Sequence, residues 1–140
     1  MTIFLNTAIT TAVTGQVGQV FQVRGRLAER PAIMSAQATV AGTLGTTIQW
    51  WLQTSLDQGL TWCDALSFSH TTAGRAAGAV CSTPSTAAVV VTDGAAASGF
   101  VQAGLFGNLW RVKYTTTGTW TAGNLKIDVD SDGIVSTNTS

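Results

Sequence analysis

The chain has 140 residues, with seven basic and seven acidic side chains, so its formal net charge is zero and charged residues make up only 10% of it. That length suits one domain with one core. With no basic patch and no apolar run of spanning length, neither nucleic acid nor a membrane is an expected partner.

Met1 to Thr14 is uncharged and mildly apolar. It lacks the basic n-region and continuous apolar core of a cleaved export signal, which points to synthesis in a cytoplasm. Residues 1–14 read as an extended arm that can add a strand to a neighbouring subunit. Deleting the arm is then expected to weaken attachment and leave the rest folded. Beyond it, period-two alternation recurs and sustained helical periodicity does not. Gln19 to Leu27 is a candidate strand with Phe21 and Val23 on one face. Met34 to Ala41 alternates through Ala36, Ala38 and Val40. Thr47 to Thr54 puts Ile48, Trp50 and Leu52 on one face, and Trp62 to Phe68 reads as its return partner.

Ser69 to Gly78 is small and polar and reads as a long loop, followed by a short strand from Gly78 to Cys81. Ala87 to Thr92 is a valine-rich strand ended by an Asp93-Gly94 turn signal. Asp93 to Gly107 stays open between a loop and a weak strand at Phe100 to Leu105. Leu109 to Tyr114 directs Trp110, Val112 and Tyr114 to one side, and Trp120 sits near a turn. Asn124 to Asp130 points Leu125, Ile127 and Val129 inward, with Lys126, Asp128 and Asp130 outward. Short strands at this spacing predict an all-β fold, an antiparallel β-sandwich of jelly-roll type over residues 15–132. A polar tail, residues 133–140, is expected to be flexible.

The stretch Ser55-Leu56-Asp57-Gln58-Gly59-Leu60-Thr61-Trp62 carries the most local information. Its pattern, Ser-x-Asp-x-Gly-x-Thr-Trp, resembles the Asp-box that closes a β-hairpin. Asp57 can accept hydrogen bonds from backbone N–H groups just ahead of it. Gly59 tolerates positive φ, and the Trp62 indole offers a large apolar surface to lock the turn onto a core. Sialidase propellers carry several such motifs, several hundred residues and an arginine cluster. This chain has one copy and five scattered arginines, and a propeller does not fit in its length.

Asp128-Val129-Asp130-Ser131-Asp132-Gly133 matches the first half of a calcium loop, with Asp128, Asp130 and Asp132 as ligands. The twelfth position would be Thr139, where a bidentate glutamate is expected, so a strand with outward aspartates ending in an Asp-Gly turn competes with it. No other cofactor is suggested. Cys63 and Cys81 can form a disulfide if the mature protein leaves the cell, or stay as buried free thiols in a cytoplasm. Their spacing does not suit zinc, and His70 is a poor third ligand. His70 lies in a Ser/Thr-rich segment with no nucleophile motif, so it reads as an exposed loop histidine. Glu29 and the six aspartates offer no evident pair for glycoside hydrolysis. Trp50, Trp62 and Trp110 have the strand phase of core residues; Trp51 and Trp120 read as outward and able to stack on sugars.

The order of these pieces resembles the small β-sandwich virion proteins of tailed bacteriophages. The match runs over about residues 45–130: a strand, the Ser55–Trp62 octet, a Thr/Ala/Gly/Val-rich middle, Leu109-Trp110-Arg111-Val112-Lys113-Tyr114, and Leu125-Lys126-Ile127-Asp128-Val129. Gln58 stands where such proteins often have a glycine. The resemblance implies a capsid decoration (cement) protein, a head fibre, or a neck or tail accessory protein. It leads us to expect a non-enzymatic virion protein that binds the major capsid protein or other virion proteins. It would be a homo-oligomer, with a trimer favoured, clamping capsomers against internal DNA pressure. Sparse charge agrees, because a free monomer usually carries a more charged surface. One rival is a fibre or tail module that binds host glycans through Trp51 and Trp120. The other is a small hydrolase with a cleft of perturbed carboxylates, which no motif favours.

Overall fold

A computed structural model describes residues 2–25, 31–81, 91–102 and 107–137. Ten strands follow in chain order: β1 (Thr2–Ile9), β2 (Gln16–Val17), β3 (Phe21–Arg24), β4 (Ile33–Thr43), β5 (Thr47–Ser55), β6 (Cys63–His70), β7 (Gly74–Cys81), β8 (Leu109–Thr117), β9 (Ala122–Ser131) and β10 (Ile134–Thr137). One sheet has the order β1-β9-β4-β7; the other has β10-β3-β8-β5-β6, with β2 also paired to β8. Every pairing is antiparallel. The two sheets enclose one hydrophobic cluster, so the all-β sandwich read from the alternation is the architecture.

The core follows the predicted strand phases. Met34, Ala36, Ala38 and Val40 of β4 join Leu125, Ile127 and Val129 of β9. The other sheet contributes Ile48, Trp50 and Leu52 of β5, with Trp110, Val112 and Tyr114 of β8. The bulk of two fully buried indoles on one sheet is balanced by the two buried alanines of β4, Ala36 and Ala38, on the other.

Both chain ends differ from expectation. Residues 2–9 are an edge strand along β9, in place of a free arm. A register shift between Ile3 and Leu5 breaks the simple alternation there. Phe4, 3% exposed, stacks on Phe21 with ring centroids 4.1 Å apart and planes 11° from parallel. Burying Phe4 and Ile9 outweighs any tendency of this uncharged segment to extend into solvent. At the other end, Ile134–Thr137 pairs with β3, and Val135 packs against the core. The sandwich therefore includes most of the residues read as arm and tail.

The segment read as a long loop from Ser69 is instead the end of β6, a short turn over residues 71–73, and β7. Of the predicted strand at Ala87 to Thr92, residues 87–90 lie outside the described residues, and Val91 and Thr92 are not in a strand. Val101 makes one bridge, to Leu66.

Because β1 supplies core, truncating it should unfold the protein. Phe4→Ala is expected to cost about 3–5 kcal/mol in urea denaturation. A cost within experimental error would show that β1 is peripheral.

Candidate functional site

Ser55 ends β5 and Cys63 begins β6, and the residues between them form a hydrogen-bonded turn. The Ser55 hydroxyl accepts from the Gly59 N–H at 2.7 Å and pairs with Asp57 Oδ1 at 2.9 Å. Asp57 Oδ1 accepts from the Thr61 N–H at 2.8 Å, and Oδ2 from the Thr61 hydroxyl at 2.6 Å. The Thr61 hydrogen bonds are the main reason the Asp57 carboxyl titrates below its ordinary value. Gln58 and Gly59 both take positive φ, 60° and 94°. Asp57 and Gly59 thus have the turn-forming roles that the octet implied, and Ser55 and Thr61 supply the hydrogen-bond partners, Thr61 lying in the turn ahead of β6. Trp62 is buried, but outside the core cluster: the Arg111 guanidinium lies 4.3 Å from its ring centroid.

Arg111 leads to a polar network on the outer face of the larger sheet. Register places Gln53 beside Asp64 on one side and Arg111 on the other. Asp64 is fully buried. Its carboxylate accepts from Gln53 Nε2 at 2.8 Å, from the Thr92 hydroxyl at 2.8 Å, and from the N–H groups of Gly94, Ala95 and Ala96 at 2.8–3.1 Å. Three successive amides aimed at one carboxylate form a nest, here filled by the protein's own side chain. Gln53 also donates to Asp93 at 2.7 Å and accepts from Arg111 Nε at 2.8 Å. Lys113 Nζ lies 3.0 Å from Asp93 and Arg111 Nη2 lies 3.7 Å from it. Burial alone would raise the Asp93 carboxyl, but the Gln53 and Lys113 hydrogen bonds and the two cationic neighbours outweigh it and hold it low.

This network covers other candidates. Residues 92–102 run along β6, with Asp64 N–H donating to Thr92 O and Gln102 N–H to Ala65 O. Ala96 O accepts from Trp51 Nε1 at 2.9 Å and from Gln49 Nε2 at 2.8 Å. Trp51, expected outward for sugar stacking, is therefore sealed under this segment at 4% exposure. Trp120 is equally unavailable: it is 3% exposed and donates to Thr117 O at 2.8 Å. His70 is not on an exposed loop. It faces the core from β6, where Nε2 accepts from Trp50 Nε1 at 3.1 Å, and burial lowers its pKa.

Cys63 is a buried free thiol, so the Cys63–Cys81 disulfide is not formed. Cys63 begins β6 in one sheet and Cys81 ends β7 in the other. Burial, then the charges of Asp57, Asp64 and Asp93, raise the Cys63 thiol pKa, which suppresses the thiolate.

The three C-terminal carboxylates do not converge. Asp128 and Asp130 are in β9, and Lys126 Nζ lies 3.8 Å from Asp128. Asp132 lies past the strand and accepts from the Ala32 and Ile33 N–H groups at 2.9 and 3.2 Å. Among the described residues, no group of three His, Cys, Asp or Glu side chains is placed to hold a metal ion.

The described residues also line open grooves. One, of about 420 Å³, lies on the outer face of the four-stranded sheet between Ala77, Ala79, Ser35, Gln37, Asp128 and Asp130. Another, of about 410 Å³, is lined by Gln22, Arg24, Gln58 and Asn108. No local pattern marks either groove or the Asp64 nest, since their members are far apart in the chain. The polar residues alternating with apolar ones at Gln53, Arg111 and Lys113 were the available signal.

Two outcomes follow from the buried groups. Asp64→Asn turns one acceptor into a donor against the N–H groups of residues 94–96, and should cost about 2–4 kcal/mol. Amide exchange at residues 94–96 should rise, whereas unchanged protection there would mean that the nest is incidental. His70, the single histidine, has a folded pKa below its unfolded value of about 6.5. Its contribution is fully present above about pH 6.5 and is lost as pH falls toward the lower folded value. Melting temperature should drop between pH 7 and pH 5, a window above the carboxylate range, and His70→Gln should flatten that drop.

No protein-family model and no curated protein matches this chain.

Proposed function

We propose that this chain is a non-enzymatic structural protein of a tailed-phage virion, acting as a capsid decoration (cement) protein that binds and stabilises the head shell. The observation that carries this reading is the outer face of the four-stranded sheet. Ser35, Gln37 and Thr39 of β4 stand in register with Ala79, Ala77 and Arg75 of β7, so most of the side chains there are short. Short side chains let another protein approach closely there, and the charged groups set among them, Arg75, Lys126, Asp128 and Asp130, call for complementary charges on that partner. The resemblance of the Ser55–Trp62 and Leu109–Tyr114 segments to phage sandwich proteins supports the same reading. So does a chain of zero net charge with one residue in ten charged.

The means of attachment differs from the arm the sequence suggested. With β1 zipped along β9 and Phe4 in the core, residues 2–9 cannot reach another subunit without opening the sandwich. Attachment by sheet faces, repeated over many symmetric copies, gives large total binding energy from a modest single contact. The partners are the major capsid protein and further copies of this chain, with a trimer favoured.

The copy number of this chain per purified particle, measured by mass spectrometry against the major capsid protein, tests the reading. A simple stoichiometric ratio to the capsid protein is the expected result. A small number of copies would move the protein to the neck, tail or a fibre, and absence from the particle would remove the virion reading.

A further inference from the structure

The 55–62 turn contains a conformational cost that its hydrogen bonds do not require. Gln58 is the one non-glycine with positive φ among the described residues. Glycine takes this left-handed conformation freely, whereas a side chain there is strained. Strain of this kind persists where the surrounding structure over-determines it, and it clusters at binding sites. Here the Ser55, Asp57 and Thr61 hydrogen bonds hold the turn around Gln58. The strained residue also lines the groove of about 410 Å³ formed with Gln22, Arg24 and Asn108.

The chemistry of that lining is specific. Three carboxamides and one guanidinium surround the space; Arg24 is the only charged residue among the described lining, and the Gln22 amide oxygen accepts from its Nη2 and Nε at 3.2 and 3.3 Å, which orients the guanidinium and leaves the Gln22 amide NH2 to donate. A carboxamide can match a peptide group with one donated and one accepted hydrogen bond. A guanidinium matches a carboxylate. Polyhydroxylated sugars could use the same donors and acceptors, but the surroundings favour protein. Leu60, in the same turn as Gln58, is 85% exposed, and Ile134, the register partner of Arg24, is 57% exposed. Exposed aliphatic side chains on the turn that supplies Gln58 and on the strand paired with β3 suit apolar side chains of a partner.

We propose that this groove docks an extended segment of a partner protein that presents a carboxylate between aliphatic side chains. The carboxylate meets Arg24, the segment's peptide groups meet Gln22, Gln58 and Asn108, and its aliphatic side chains meet Leu60 and Ile134. Gln58 is retained at its strained position because its side chain completes the groove. This deepens the assembly reading above by naming the contact surface and the chemistry of what it grips.

The test uses the full-length chain and an array of synthetic decapeptides. One set has glutamate flanked by leucine or isoleucine, a control set has lysine in place of glutamate, and a glycan array is run in parallel. The wild-type chain should be retained by the glutamate set and not by the lysine set. Arg24→Gln and Leu60→Ser should each weaken retention about tenfold, the scale of a binding hot spot. Gln58→Gly should raise the melting temperature while also weakening retention about tenfold, a combination that a merely structural residue would not give. The inference is overturned if the wild-type chain does not prefer the glutamate peptides. It is also overturned if Gln58→Gly binds as wild type, or if only glycans are retained. No particle is involved, so a failure here leaves the copy-number result standing, and absence from particles would not explain a failure here.

Discussion

The buried carboxylate of Asp64 is the constraint on which one whole side of this molecule depends. A lone charge in that position would be prohibitively costly, so every oxygen lone pair must find a donor. Five donor groups supply them, three being consecutive amides of residues 94–96. Meeting that demand fixes the path of a segment rich in alanine and glycine, which has little intrinsic preference of its own. Once fixed, the segment covers Trp51 and hydrogen-bonds along β6, the strand that would otherwise be the open edge of the larger sheet. Covered edges resist unwanted strand addition. One desolvated charge thus organises a loop, a tryptophan and a sheet edge together.

The hairpin turn is coupled to the same network through Arg111. Its guanidinium lies over Trp62, donates to Gln53, and sits near Asp93. Gln53 in turn bridges Arg111, Asp64 and Asp93. The turn at 55–62 ends thirty residues before the segment at 92–96 begins, yet each is anchored to the same amide side chain. Buried polar networks of this kind specify one arrangement when every member is satisfied. Among the described residues no buried side-chain nitrogen or oxygen lacks a partner.

The parts of this architecture legible in the sequence were those set by local rules. The inward residues of β4, β5, β8 and β9 follow strict alternation, and each was identified from it. The Ser55–Trp62 turn was legible because its hydrogen bonds link residues two to four apart. Phe4 was missed because a bulge interrupts the alternation, so β1 looked like an arm. His70 was missed because the strand was ended at Phe68 and the small, polar stretch from Ser69 to Gly78 reads as loop, although Phe68 and His70 continue one alternation toward the core. Trp51 has the phase of an outward residue and is outward; what its phase cannot show is the segment folded over it. The Asp64 nest and the groove at Gln58 arise from register between distant strands, and no local pattern encodes them.

Local legibility and functional freedom are connected at the turn. Ser55, Asp57, Gly59 and Thr61 are fully occupied with one another, so the conformation is set by four residues out of eight. Leu56, Gln58 and Leu60 are left exposed, their side chains unneeded for the hydrogen bonds that hold the turn. A framework that over-determines its backbone can carry unfavourable residues at those positions, including a glutamine in a glycine conformation, and still fold. The sandwich core makes the same separation on a larger scale. Its interior is committed to packing Trp50 and Trp110 against small residues, while the groove residues Gln22, Arg24 and Asn108 and the sheet-face residues Ser35, Gln37, Asp128 and Asp130 take no part in that packing. Recognition by this protein is therefore best sought on the rigid surface positions that the fold does not use.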